Sequence, residues 1–73
     1  MGDVTAQASI GGKYFSGGDG FIKNYVLSYM WKNIAMANGS DEHLVLNYLE
    51  RVLTRGQIAE AQRLAQEWME KHY

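Results

Sequence analysis

No proline occurs anywhere in this chain of 73 residues, and that absence constrains its folding more than any other feature. No helix can be stopped by a missing N–H or kinked by a pyrrolidine ring. Glycine and capping side chains must therefore make every break. The internal glycines stand at 11 and 12, at 17, 18 and 20, at 39 and at 56. Between these points the apolar residues recur at helical spacing, so the pattern predicts an all-α chain of four helices joined by very short turns.

The first helix is expected from about Val4 to Ser16, capped by Asp3, with Ala6, Ile10, Tyr14 and Phe15 on its apolar side. Gly11 and Gly12 weaken it by about 1 kcal/mol each relative to alanine. A β-hairpin turning on that pair is the competing local reading. The sequence Gly17-Gly18-Asp19-Gly20-Phe21 marks a sharp turn in which glycine can take a positive φ. Asn24 is suited to cap a second helix from Tyr25 to Asn38, and Gly39 stands where a C′ glycine ends one. Ser40 is then expected to cap a third helix, with Asp41 and Glu42 in its positive first turn. Leu46, Leu49, Val52 and Leu53 form its stripe.

The sequence Thr54-Arg55-Gly56-Gln57 has the form of a capping box, in which the threonine and glutamine side chains each satisfy the other residue's backbone N–H. A fourth helix follows, from Arg55 to about Lys71. Ile58, Ala61, Leu64, Ala65, Trp68 and Met69 hold its apolar face, and Glu60, Arg63, Glu67 and Lys71 its polar one. Arg63–Glu67 and Glu67–Lys71 are both i,i+4 pairs. Short turns between long helices favour antiparallel neighbours, so two helical hairpins are expected.

The stretch YMWKNIAMANG, residues 29–39, sits at the middle of this scheme. Ser28 and Ala35 are small enough to let another helix approach closely, and the rings of Tyr25 and Trp31 fill the space beside that contact. Gly39 lets the chain reverse at once. Large rings alternating with small residues and a terminal glycine suit stacked helical hairpins better than a ligand pocket.

These residues resemble the Sel-one-like repeats, relatives of the tetratricopeptide repeats. Ala6, Ile10, Gly11 and Tyr14 stand at the positions of that family's first-helix pattern, with isoleucine in place of leucine. The turn GDGF corresponds to its Gly-x-Gly-Val turn, with Phe21 for valine and one extra glycine. Asn24, Tyr25, Ser28, Trp31, Ala35 and Gly39 follow the second-helix pattern. TRGQIAEAQRLAQEW is similar to the helix that closes arrays of this family, with Arg55 and Gly56 in place of its proline and acidic residue. The resemblance covers roughly residues 6 to 70. It implies one domain over 1–73, with a repeat hairpin at 4–39 and a half-repeat plus capping helix at 40–73. Tyr25, Trp31, Ala35 and Trp68 would be repeat-core residues of a solenoid-like α/α unit. It also implies a scaffold for protein complexes with no catalytic residue and no cofactor.

Composition narrows the function classes. Lysine and arginine number 7 against 8 acidic residues, a net charge of −1, so no basic field recruits nucleic acid or acidic lipid. A small helical nucleic-acid-binding protein, with the fourth helix as reader, is the alternative, but that helix alternates its charges. There is no cysteine, hence no disulfide and no thiolate metal site, which fits a reducing, cytoplasmic setting. No apolar run approaches the ~20 residues of a membrane span. The start MGDVTA lacks a signal peptide's regions and only half matches a myristoylation start, with Ala6 where serine or threonine is wanted.

Possible chemistry is sparse. Successive N–H groups in GGDG could cradle a phosphate, but no Gly-Lys-Ser/Thr follows. Ser40 and His43 could suggest a nucleophile and base, yet Ser40 is better placed as a cap and no third group orients His43. His72 suits the negative end of a helix. Neighbouring Asp41 and Glu42 do not face one another on a helix, so they make a poor cation site. The nine aromatic residues are too many for four short helices to sheath. The uncovered remainder is expected at the open first helix, around Ile10, Tyr14 and Phe15. That surface would bind protein: a second copy, giving a two-fold homodimer, or an unidentified partner.

Overall fold

The breaks fall where the glycines and caps put them. A computed structural model describes residues 4–72 as four helices: α1 Val4–Ser16, α2 Tyr25–Ala37, α3 His43–Val52 and α4 Arg55–His72. The all-α expectation holds, with no strand among the described residues. Gly11 and Gly12 both lie inside α1, so the competing hairpin does not form. Asp3, the expected first cap, and Tyr73 lie outside the described residues.

The α1–α2 turn shows why glycine is dense there. Phe21 N–H donates to Gly18 O at 3.0 Å, and the two residues between have positive φ, 54° at Asp19 and 82° at Gly20. This is the mirror-image turn that glycine and aspartate tolerate best. Asn24 then caps α2 as expected, its Oδ1 accepting from Leu27 N–H at 3.1 Å. Its own N–H donates to Tyr14 O at 2.8 Å, which pins the start of α2 to the end of α1.

At the other end of α2, Gly39 has φ 105°. Gly39 N–H donates to Met36 O at 3.1 Å and Ser40 N–H to Ala35 O at 3.0 Å. These two bonds are a Schellman motif, and they correct the expected start of α3. Ser40 is held by the end of α2, and its hydroxyl donates to the Glu42 carboxylate instead of capping the next helix. α3 begins instead at His43, and Glu42 at its N-cap makes no side-chain capping bond. Asp41 and Glu42 therefore precede the helix rather than forming its first turn. The capping box of α4 forms as expected: Thr54 N–H donates to Gln57 Oε1 at 2.9 Å, and Gln57 N–H to Thr54 Oγ1 at 3.1 Å.

α2 lies at the centre and packs on all three other helices. α1 runs antiparallel to it, as three bonds fix: Tyr14 to Asn24, Gly11 O to Ser28 Oγ at 2.8 Å, and Gln7 Oε1 to Asn38 Nδ2 at 3.0 Å. The buried face of α1 is thus Gln7 and Gly11. Ala6, expected on that face, is exposed, and Ile10 is half-buried. Ser28 and Ala35 are fully buried, and the Ser28 hydroxyl meets the α1 backbone at Gly11.

On the other side of α2, α4 runs in the same direction. Val26 and Ile58 flank the same cluster, Tyr29 reaches Gln62, and Trp31 meets Trp68. Met30, Ile34 and Ala65 form one buried cluster, flanked by Leu64, Trp68 and Met69. Tyr29, Leu46, Leu49, Leu53 and Ala61 form another. α4, at 18 residues, outruns the 10 of α3, and Leu64, Ala65, Trp68 and Met69 of its apolar stripe pack with α2. The second half therefore differs from a closed α3–α4 hairpin: those helices share a cluster near their joint, while the main contact of α4 is with α2.

Candidate interaction surface

Three large apolar side chains stand in solvent along α3: Leu44 is 76% exposed, Tyr48 46% and Val52 45%. Their spacing of four puts them on one helical ridge. The sequence stripe of α3 is thus divided. Leu46, Leu49 and Leu53 go inward, and Val52, expected with them, goes outward. α3 has two apolar ridges, and among the described residues only one finds cover. The sequence signal for the second was the 44-48-52 spacing itself, masked by Val52 lying next to Leu53.

The ridge borders an open cleft of about 370 Å³ between the start of α2 and the α3–α4 joint. Tyr25, Val26, Val52 and Leu53 supply apolar walls, and Lys23 is the charged group at the edge, its ammonium 5.1 Å from the Tyr25 ring centre. Phe15 stacks on Tyr25 at 5.4 Å between ring centres and meets Tyr48 at 5.7 Å. An aromatic row therefore runs from Tyr25 of α2 through Phe15 of α1 to Tyr48 on the exposed ridge. Ile22, in the α1–α2 turn, is 84% exposed.

The expected surface on α1 is not one patch. Phe15 packs against the core cluster. Tyr14 turns the other way and meets the Phe21 ring edge-on at 4.8 Å. Ile10 is half-buried. Of the expected core residues, Ala35 is fully buried, while Tyr25, Trp31 and Trp68 are half-buried. Trp31 and Trp68 pack edge-to-face at 5.3 Å between α2 and α4. His72 stacks on the Trp68 ring at 4.2 Å, and its Nδ1 lies 2.8 Å from Trp68 O.

The polar groups nearest the ridge are engaged with one another. Ser40 Oγ donates to Glu42 rather than facing His43, and His43 Nδ1 pairs with Asp41. Burial opposes ionisation of Glu42, but the Ser40 hydrogen bond and the Lys32 ammonium at 2.9 Å outweigh it and hold the carboxyl below its ordinary value. The hydrogen bond from His43 holds Asp41 low in the same way. Burial pushes the Tyr29 phenol up, and its hydrogen bond to Glu50 at 2.8 Å adds to this. Each polar group is tied into a helix-to-helix or turn contact. Among the described residues no three His, Asp or Glu side chains gather as metal ligands, and no helix is long and apolar enough to cross a membrane. The polar face of α4 carries Arg63 between Glu60 and Glu67. Glu67 thus pairs with Arg63, the first of its two expected partners.

Compared with protein-family models, curated proteins and solved structures, the chain matches none. What can be said of its function therefore comes from its own surface.

Proposed function

We propose that this chain is a non-catalytic protein-interaction module of the Sel-one-like, helical-repeat kind, which works by covering its exposed apolar ridge with a second protein chain. The simplest such chain is another copy, giving a homodimer; an unidentified partner is the other occupant. The observation that carries this reading is the ridge of Leu44, Tyr48 and Val52. Scattered exposed apolar residues are ordinary on a protein surface, but three in register on one short helix, continuous with an aromatic row, form a contiguous patch of the sort that marks a contact site. The ridge takes over the part expected of Ile10, Tyr14 and Phe15, two of which are occupied by Phe21, Tyr25 and Tyr48. The alternating charges of α4 speak against the nucleic-acid reading, since phosphate binding needs clustered cations. Sedimentation equilibrium from low to high micromolar concentration tests self-association. A rising mean mass is expected. A folded monomer throughout would leave a different protein as the occupant.

A further inference from the structure

The charges around the ridge choose between arrangements of a second copy, an inference that rests on the self-association reading above. Exposed Asp41, which pairs with the neighbouring His43, stands just before α3, exposed Arg51 stands in the last turn of α3, and exposed Arg55 opens α4. The ridge is thus acidic at one end, apolar in the middle and basic at the other.

We infer that two copies pair through α3, antiparallel about a two-fold axis that passes beside Tyr48. With Tyr48 on the axis, Leu44 of each copy lies opposite the partner's Val52, because both are four residues from the centre. Asp41, just before the start of α3, then lies toward the C-terminal end of the partner's helix, where Arg51 stands in the last turn. Every ionic contact is made twice, as an isologous interface requires. A parallel pairing would instead set Asp41 against Asp41 and Arg51 against Arg51, and would align the two helix dipoles. Like charges facing one another across an interface are selected against. The ridge spacing of four suits the packing of one helix's i±4 row into the groove of another. Tyr48 at the centre supplies an aromatic anchor of the type that dominates small interfaces. Its ring is already braced by Phe15, so little side-chain freedom is lost on docking. A helix of 10 residues offers a contact at the low end of the size range for specific complexes, so the dimer is concentration-dependent rather than permanent.

The chain has no cysteine, so a single introduced thiol reports position without background. Tyr48→Cys, on the axis, should form a symmetric disulfide on mild oxidation, because its two copies come within the ~7 Å Cα separation a disulfide can span. Tyr14→Cys, on α1, should not. In sedimentation, Leu44→Asp should weaken the dimer at least tenfold, while Ile10→Asp should leave it unchanged. Leu44 is exposed, so the variant's helical circular dichroism should match the wild type. A wild-type chain that stays monomeric at high micromolar concentration overturns both self-association and this interface. A wild-type dimer that resists Leu44→Asp, or that cross-links through Tyr14→Cys and not Tyr48→Cys, overturns the α3 interface alone and leaves self-association standing.

Discussion

The two sides of α2 are packed by opposite means. Against α1 the contact is made by absence of side chain. Gly11 brings its backbone carbonyl within 2.8 Å of the Ser28 hydroxyl, and the Lys32 stem lies over the glycine where a side chain would stand. Gln7 and Asn38 bond one another across the same seam, and Gln7 Nε2 is buried with no acceptor among the described residues. Against α4 the contact is made by volume: Met30, Ile34, Ala65, Leu64, Trp68 and Met69 fill the space, with two tryptophans closing its edge. Stability from burial grows with apolar area removed from water, so the α4 side should carry most of it. The α1 side depends on shape and on a few polar contacts. One helix pair can be destroyed by removing atoms, the other by adding them.

The largest effect should come from removing volume on the α4 side. Ile34 is fully buried, and Ile34→Ala should cost roughly 2–5 kcal/mol through lost transfer energy and a residual cavity. In a chain of this size that is a large share of total stability. Trp31→Ala, though it deletes more atoms, should cost less than a fully buried tryptophan would, because the ring is half-exposed. Urea denaturation of both variants checks the order. If Trp31→Ala proves the more damaging, the core of this side lies at the tryptophan pair rather than at Ile34.

That contrast also explains what the sequence disclosed. The α4 side was legible because its residues are apolar and recur at helical spacing. Caps were legible where their partners are local, as with Asn24 and with Thr54 and Gln57. The inward face of α1 was hidden, because a search for apolar periodicity follows Ala6, Ile10 and Tyr14 and passes over Gln7 and Gly11. Their burial depends on Ser28, Lys32 and Asn38, which are distant in sequence. Ser40 departs from its expected place for a related reason. It has the chemistry of an N-cap, but the Schellman bond that holds it to α2 had a stronger claim on its backbone. The exposed ridge was half legible, since its spacing is visible and its lack of cover is not.

An intermediate effect should appear in acid, at the seam between α1, α2 and the start of α3. Glu42 accepts from Ser40 and faces Lys32, and its folded carboxyl titrates below the ordinary 4.5. A group depressed on folding stabilises the fold above its unfolded value and ceases to do so as pH falls through its folded value. Stability should thus be flat at neutral pH and decline below about pH 4.5. Glu42→Gln should flatten part of that decline, measured as melting temperature against pH. A residual slope of the same sign is expected from Asp41, whose carboxyl is also held low. An unchanged acid slope in Glu42→Gln would show that the Lys32 pair does not couple to folding.

The smallest effect separates two adjacent glycines, and it probes the α1 seam most sharply. Both lie inside α1, where alanine is favoured over glycine by about 1 kcal/mol. A Cβ on Gly12 would meet only the Lys32 Nζ, at 4.0 Å, so Gly12→Ala should keep most of that gain and raise the melting temperature by a few degrees. A Cβ on Gly11 would lie 3.0 Å from Lys32 Cγ and 3.1 Å from Cδ. Cγ is one bond from the part of Lys32 fixed to α2, so it cannot swing aside freely, and moving the stem draws the ammonium away from Glu42. Gly11→Ala should therefore lose the propensity gain and come out neutral or destabilised. A second substitution tests the cause. With Lys32→Ala in place the obstructing stem is gone, and Gly11→Ala should then stabilise much as Gly12→Ala does. If Gly11→Ala stabilises the otherwise unaltered chain as much as Gly12→Ala, close approach is not what holds α1 to α2, and the contrast between the two sides of α2 fails.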